Sequence, residues 1–263
     1  FIKGLVFGDI NNDQWPDLFI SVLGGKNYLF KNELGVFKDI SDSAGVEAPY
    51  YSFPCWIWDV NNDGFNDIFV ASYDSRNLIN LASDFSKEIE GKYVDSEKSK
   101  LFINNGNETF TESSQEFNID ISMYAMGSNF GDIDNDGWLD FYIGNGSPEL
   151  TSTIPNRMFR NVDGTRFEEI TLAGRFGHIQ KGHGVGFADL DNDGDQDVYA
   201  VMGGAFQGDT YPNACFENPI TDKNWVVLKL IGEISNRSSI GSYLEIVLDN
   251  GRKIFRNINT GGS

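Results

Sequence analysis

Short apolar segments and acidic loops alternate along most of this chain. Four times, a short segment ends in aspartate, a polar loop of nine residues begins there, and an apolar run follows, as at 18–22 and 198–201. These runs consist largely of β-branched and aromatic residues and are too short for helices, so they predict strands. The units recur roughly every 50 to 73 residues, a period typical of propellers and repeat arrays. The longest interval contains an insertion, 72–100, in which 81–92 is predicted to form a helix or a flexible loop.

Each unit also contains a Phe-x-Asn element, which ends at Asn32, Asn104, Asn161 or Asn218. In the first three units a turn with glycine and another phenylalanine follow, whereas the fourth unit lacks this last segment. Because the asparagines recur at one place in each unit, we interpret them as turn caps. The order strand, loop, strand, strand, turn, strand predicts an all-β fold. We expect a β-propeller of four-stranded blades, with about four blades represented here as part of a larger propeller.

The pattern changes after the fourth unit. Residues 1–220 are assigned to the propeller repeats, and residues 221–263 to a small C-terminal β module. In that module the apolar segments at 225–230 and 243–248 predict a pair of strands. Trp225 opens the first of them, and we expect its ring to be buried against the last blade.

The four loops follow the pattern Asp-x-Asp/Asn-x-Asp-Gly-x-x-Asp, and we number them one to four. They cover residues 9–17, 59–67, 132–140 and 189–197. Side chains at positions 1, 3, 5 and 9, with the carbonyl of position 7, would supply the oxygen atoms that Ca²⁺ prefers. The loops contain no His or Cys, which excludes zinc and copper, and Mg²⁺ requires stricter octahedral geometry. We therefore predict up to four calcium ions. The predicted ligands are Asp9, Asn11, Asp13, Trp15 and Asp17; Asp59, Asn61, Asp63, Phe65 and Asp67; Asp132, Asp134, Asp136, Trp138 and Asp140; and Asp189, Asp191, Asp193, Asp195 and Asp197.

Two other structures also place Asp, Asn and Gly in such loops. Asp, Asn and Gly also favour solvated turns, but four such loops in register with a strand repeat favour calcium. An EF-hand needs flanking helices and a glutamate at position 12, whereas position 12 is apolar in all four loops. Loop one has Gln14 at position 6, where a sharp turn with positive φ favours glycine. We expect calcium affinity to be highest in loops three and four, lower in loop two and lowest in loop one.

The charge of the chain excludes several classes of partner. The 263 residues contain 39 acidic and 20 basic side chains, a net charge of −19. Such a chain lacks the basic surface that nucleic acid or an anionic membrane attracts. No apolar run reaches the roughly 18 residues of a membrane span. No signal peptide is visible at the first residues, and we expect the chain to start inside a larger protein.

No catalytic constellation is visible, so we expect a protein that is not an enzyme. His178 and His183 are interpreted as structural, and Cys215 as a buried small side chain, because other units have Leu or Met at its position. A propeller of a carbohydrate-active enzyme such as a polysaccharide lyase, and an architectural segment of a secreted or surface assembly, remain as alternatives. The two cysteines allow no disulfide scaffold and no cysteine zinc site.

The loops and their Phe-Gly-Asp lead-ins resemble the FG-GAP/VCBS repeats of integrin α-subunit propellers. The segment 182–197 and the Met-Gly-Gly-Ala at 202–205 resemble the cartilage acidic protein family and its bacterial relatives, in which an ASPIC/UnbV domain follows the propeller. Asn224, Trp225 and the Ser-Asn-Arg at 235–237 match the start of that domain. This resemblance implies a secreted or cell-envelope calcium-binding protein. Its partner would be a protein or glycan at the cell surface or in the extracellular matrix.

Overall fold

The computed structural model describes residues 1–150, 153–204, 206–219, 223–234 and 236–258. Within these ranges the first four sheets are antiparallel, and each is formed by strands that follow one another in sequence. Sheet one comprises β1 (Ile2–Gly8), β2 (Asp17–Val22), β3 (Tyr28–Glu33) and β4 (Val36–Asp39). Sheet two comprises β5 (Ser52–Trp58), β6 (Asp67–Ser72), β7 (Lys100–Asn104) and β8 (Phe110–Glu112). Sheet three comprises β9 (Ala125–Gly131), β10 (Asp140–Asn145), β11 (Arg157–Val162) and β12 (Arg166–Glu169). Sheet four comprises β13 (Gly182–Ala188), β14 (Asp197–Met202) and β15 (Ala214–Phe216).

This topology confirms the predicted all-β fold, the four-stranded antiparallel sheets and the absence of a fourth strand from the last described unit. Each acidic loop joins the first strand of its sheet to the second. The two strands pair directly beside the loop, as where Gly8 pairs with Asp17 and Gly131 with Asp140. The loop is therefore the connection of a β-hairpin, and its ninth residue is the first residue of a strand.

The sheets pack side by side through their first strands, with β1 against β5, β5 against β9 and β9 against β13. Apolar layers fill the spaces between them. Phe69 and Phe141 are fully buried between sheets two and three, with their ring centroids 5.2 Å apart. Trp56 stacks on Phe69 at 4.4 Å and joins the same layer, as does Trp58. Both tryptophans belong to this core cluster, because residues two apart in a strand face the same side of the sheet.

The insertion in the second unit is helical. A 3₁₀ helix, Ser75–Asn80, leads into the α-helix Leu81–Ile89, and a shorter helix, Ser41–Ala44, precedes sheet two. Arg157 of β11 pairs with Glu88 of the longer helix at 2.9 Å and with Glu169 of β12 at 2.7 Å. This ion-pair triad ties the insertion to sheet three. No helix in the described ranges is long and apolar enough to cross a membrane.

The C-terminal module contains a hairpin of β16 (Tyr243–Val247) and β17 (Lys253–Asn257). The predicted strand at 225–230 is wrong, because these residues form no strand. Instead β16 pairs with β17 through a five-residue connection, which contains Gly251 at φ +82°. Trp225 is 54% exposed, which corrects the prediction that its ring is buried. Its ring lies over Gly194, where an added Cβ would come 1.9 Å from the indole nitrogen. The predicted domain boundary at 220/221 lies outside the described residues, so the division into two domains stays a prediction. Ala205 and Ser235, which belong to the motifs named above, also lie outside them.

Cys215 is exposed, so its predicted burial is also wrong. The equivalent residues Leu29, Leu101 and Met158 are fully buried, because the next sheet packs on them. Cys215 instead faces away from sheet three beside Tyr199, its partner across the strands, which is 42% exposed. Sheet four is the last of these packed sheets in the part of the chain that the structure describes, so this face has no neighbouring sheet.

Candidate metal centre

The first aspartate of each loop organises the loop backbone. Its Oδ1 accepts a hydrogen bond from the N–H of position 5, and its Oδ2 accepts one from the N–H of position 6. In loop three, Asp132 accepts these bonds from Asp136 at 3.0 Å and Gly137 at 2.8 Å. The same pair of bonds occurs in the other loops at 2.7 to 3.2 Å. All four loops therefore share one hydrogen-bond pattern around position 1.

Position 6 adopts the left-handed conformation in every loop. The φ angle is +90° at Gly137 and remains +70° at Gln14. This confirms that position 6 requires positive φ, although loop one has a residue with a Cβ there. The asparagine at position 4 also has positive φ, between +50° and +64° in the four loops. Asparagine tolerates this region better than most residues, which accounts for its presence at position 4.

The aspartate at position 9 joins each loop to its sheet. In loop three, Asp140 Oδ2 accepts a bond from the N–H of Ile133 at 2.8 Å, and Oδ1 accepts one from Asn161 at 2.7 Å. Equivalent bonds form at the other three positions. Each carboxylate oxygen retains acceptor capacity beyond one hydrogen bond. The predicted ligand role of this residue is compatible with its structural role and stays a prediction.

Loops three and four bring carboxylates together. One oxygen each from Asp132, Asp134 and Asp136 lies within 4.8 Å of the others, and the same holds for the carboxylates at 189, 191 and 193. Asp134 Oδ1 is buried and has no hydrogen-bond partner among the described residues. Arg160 Nη1 lies 3.7 Å from the other oxygen of this carboxylate, Oδ2. A buried oxygen without a hydrogen bond, such as Oδ1, is costly unless a cation compensates it. Asp195, at position 7 of loop four, is also buried, and both its oxygens lack such a partner.

Loops one and two differ because position 3 is asparagine. Asn11 donates from Nδ2 to Asp13 at 2.9 Å, and Asn61 donates to Asp63 at 2.8 Å. In both loops the Oδ1 of that asparagine accepts the N–H of position 5 at 3.2 Å. The amide thus partly satisfies the neighbouring carboxylate, and each of these loops offers one negative charge fewer than loop three.

Burial governs the electrostatics of the loops. It raises the pKa of Asp17 to about 6, that of Asp59 to about 7 and that of Asp136 to about 6. Nearby loop carboxylates raise these pKa values further, while backbone hydrogen bonds oppose the effect. Burial likewise raises the pKa of Asp67 and Asp140 well above the usual range. The loops therefore concentrate carboxyl groups whose ionisation is unfavourable without a compensating positive charge.

Three sets of contacts around the loops were not predicted from the sequence. In the first set, the asparagine at position 4 of one loop donates a hydrogen bond to the carbonyl of position 6 in the next loop. The donors in loops one, two and three are Asn12, Asn62 and Asn135. Asn32, Asn104 and Asn161 cap the turns that follow them, as predicted, and the cap at Asn218 stays a prediction. The asparagines from 104 onward also donate to the carbonyl of position 2 in the preceding loop. Arg252, just before β17, and Arg256 of β17 contact loop three. An asparagine at position 4 of all four loops was the visible signal for the first set.

The two histidines lie outside the loops. His183 Nε2 is 2.6 Å from the carbonyl oxygen of Gly203, within hydrogen-bond distance. His178 packs edge-on against Tyr211, with the ring centroids 5.0 Å apart. Each ring thus has a partner in the fold.

Comparison with known proteins agrees with this repeat. The model of the FG-GAP-like repeat matches residues 9–70 and again residues 59–143. The two matches overlap and together cover half of the chain, including loops one, two and three. No curated protein matches the sequence. From the matched repeats, the four antiparallel sheets and the loop that opens each second strand, we conclude that this chain belongs to the FG-GAP-like repeat family.

Proposed function

We propose that this chain is a calcium-binding β-propeller module that acts outside the cytoplasm as a non-catalytic interaction domain. The observation that carries the proposal is in loop three. Three carboxylates converge within 4.8 Å there, and the buried Asp134 Oδ1 has no hydrogen-bond partner among the described residues. Oxygen donors in this number suit a hard divalent cation. FG-GAP-like repeats are a common form of extracellular interaction module, which supports the location and role.

The residues of each loop fit calcium. Positions 1, 3 and 5 would contribute one side-chain oxygen each, and position 9 and the carbonyl of position 7 would complete the set. The hydrogen bonds to position 1 fix its carboxylate before any ion arrives. Calcium would offset the repulsion among the carboxylates and stabilise the connection between the first two strands of each sheet. Its role here is structural.

The expected affinity links this role to location. Extracellular modules bind calcium with dissociation constants of about 10⁻⁴ to 10⁻³ M. At millimolar calcium, a site with a dissociation constant near 10⁻⁴ M adds roughly 1.4 kcal/mol to the free energy of unfolding. Submicromolar calcium in the cytosol would add almost nothing. A protein that depends on several such sites would therefore work in the extracellular space or cell envelope.

The larger architecture is part of the proposal. Side-by-side packing of β1, β5, β9 and β13 supports an arc of blades around an axis, as in a propeller. Residues 221–263 would form the start of an ASPIC/UnbV-like module. We propose a protein or glycan at the cell surface or in the extracellular matrix as the partner. Binding of the whole chain to arrays of such proteins and glycans, with and without EGTA, tests that role.

Calorimetric titration with calcium tests the metal site. We expect saturable binding to the wild-type chain and weaker binding at loop three in Asp134→Asn, because this change gives loop three the neutral asparagine that loops one and two have at position 3. The matched control is Asp42→Asn, which removes the same charge from an exposed residue of the helix Ser41–Ala44 and should leave calcium affinity unchanged. Equal loss of binding in both variants would indicate a general charge effect and contradict a site in loop three.

A further inference from the structure

The hairpin of β16 and β17 lies on loops two and three. Asn62, at position 4 of loop two, accepts hydrogen bonds at Oδ1 from the N–H of Phe255 at 3.1 Å and from the Arg256 guanidinium at 3.4 Å. Asn257 donates to Asn66 Oδ1 at 2.8 Å. These contacts join segments that are more than 190 residues apart in the sequence.

Two arginines of the hairpin hold loop three. Arg252 Nη2 donates to the carbonyl of Asp136 at 2.5 Å, and its guanidinium lies 5.7 Å from the centre of the Trp138 ring. Arg256 Nη2 donates to the carbonyl of Gly137 at 3.2 Å and lies 4.0 Å from Asp132 Oδ2. That Asp132 oxygen already accepts the N–H of Gly137. The hairpin therefore contacts the outer side of the turn, at the carbonyls of positions 5 and 6, which are not among the predicted calcium ligands.

The hairpin also needs the glycines of the two loops. A Cβ added to Gly137 would come 2.7 Å from Ile254 Cδ1, and one added to Gly64 would come 3.0 Å from the Tyr243 hydroxyl. Tyr243 stacks on Phe255, with the ring centroids 5.6 Å apart, above loop two. Glycine at position 6 thus allows the left-handed turn and the close approach of the hairpin at once.

We propose that docking of this hairpin and calcium binding in loops two and three stabilise each other, with Arg256 as the main positioning residue. This inference rests on the proposed calcium sites. Both events need the same loop conformation, because the two carbonyls face the arginines only when Gly137 is left-handed. Calcium binding and hairpin docking would both favour this loop conformation. Each therefore strengthens the other, and by the same factor.

One effect opposes this coupling. A guanidinium near Asp132 repels an arriving Ca²⁺, and through partly buried protein such repulsion is not negligible. The position of Arg256 limits it, because the guanidinium lies beside the oxygen that Gly137 already occupies. A variant that removes an equal charge from the same strand without touching the loops separates the two effects. Lys253 is that residue, since its side chain is exposed and pairs with Glu245 on the hairpin itself.

Two measurements on the full chain test the proposal. The first is amide hydrogen exchange of residues 243–257 with calcium and with EGTA. Calcium should slow exchange there about 5-fold or more, the lower end of typical coupling. The second is calorimetric calcium affinity of Arg256→Ala and Lys253→Ala. Arg256→Ala should weaken binding by about 5- to 30-fold, whereas Lys253→Ala should leave it within about 2-fold of wild type or tighten it slightly.

The outcomes are distinguishable. If the wild-type chain binds no calcium, the proposed function fails. If it binds calcium but exchange of the hairpin is unchanged or faster, or if Arg256→Ala binds as tightly as Lys253→Ala, the coupling is overturned while the calcium sites stand. Should Arg256→Ala unfold, Arg252→Ala is the second variant, because it removes the contact with Asp136 but leaves Arg256 in place.

Discussion

Asn62 of loop two donates a hydrogen bond from Nδ2 to the carbonyl oxygen of Gly137 in loop three, 75 residues later, at 3.1 Å. Asn12 makes the same bond to Gly64 at 2.9 Å, and Asn135 makes it to Gly194 at 3.1 Å. In loops one to three, the residue at position 4 thus links the loop to position 6 of the next. The loops form a connected row along one edge of the packed sheets, and changes in one loop reach its neighbour directly.

Removing one link should cost stability. We expect Asn135→Ala to lower the free energy of unfolding through the lost hydrogen bond and the poorer fit of alanine at φ +52°. The matched control is Asn118→Ala, since Asn118 is exposed, has φ +58° and makes no side-chain hydrogen bond to another described residue. In urea unfolding, Asn135→Ala should be the less stable variant by about 0.5–1.5 kcal/mol. Equal values would mean that the link carries no energy.

Gln14 gives a second test, of turn strain in loop one. A residue with a Cβ in the left-handed region costs about 1–2 kcal/mol. We expect part of this cost to fall on calcium binding, because the ion would fix the turn in that conformation. Gln14→Gly should therefore tighten calcium binding at loop one by about 5–30-fold. Gln14→Ala keeps the Cβ and should bind like wild type. Site-resolved titration measures this, and an equal gain in both variants would assign the effect to the glutamine side chain.

The pH dependence of the calcium-free protein follows from its raised pKa values. Burial raises the pKa of Asp17 to about 6 and that of Asp59 to about 7, above their values in the unfolded chain. The folded state therefore binds more protons than the unfolded state between about pH 4 and 7, and stability falls as pH rises through that window. The loss should be on the order of a few kcal/mol.

With calcium the slope should reverse, because a bound cation favours the ionised carboxylates and the folded state then releases protons. Urea unfolding at pH 4.5, 5.5, 6.5 and 7.5, in EGTA and in calcium, measures both slopes. A calcium-free protein that becomes more stable across this range would contradict the assigned burial of these two aspartates.

The insertion provides a prediction away from the loops. Arg157 is buried and pairs with both Glu88 and Glu169. Arg157→Ala should cost about 3–5 kcal/mol, because it leaves two partly buried carboxylates without their cation. Arg166→Ala is the control, since its pair with Glu168 is exposed and should contribute less than about 1 kcal/mol. Chemical denaturation measures the free energy of unfolding of both variants. Similar losses would show that the Arg157 triad stabilises the fold no more than an exposed ion pair does.

The repeat made much of this fold predictable. The loop boundaries, the four sheets and positive φ at position 6 follow from local residue types that recur. Each unit therefore supports the prediction made for the others. Burial was less predictable. Cys215 occupies the position of Leu29 and Met158, yet it is exposed, because burial of a sheet face depends on what packs against it.

Contacts of the C-terminal hairpin were also beyond the sequence. Strand β16 pairs with β17 rather than with 225–230. This choice depends on a short local turn, and the pattern of apolar residues does not show that such a turn is favoured. Arg252 and Arg256 meet loop three across more than 110 residues, and no period in the sequence connects them. A single charged side chain in a strand gives no sign of which distant carbonyl it meets.

Thermal unfolding in EGTA and in millimolar calcium tests the central claim most directly. If the four loops hold calcium, the midpoint of unfolding should rise with calcium concentration and saturate, because an ion that binds only the folded state stabilises it by mass action. Asp134→Asn should reduce the rise, and Asp42→Asn should not. An unfolding midpoint that is the same in EGTA and in millimolar calcium would contradict the account.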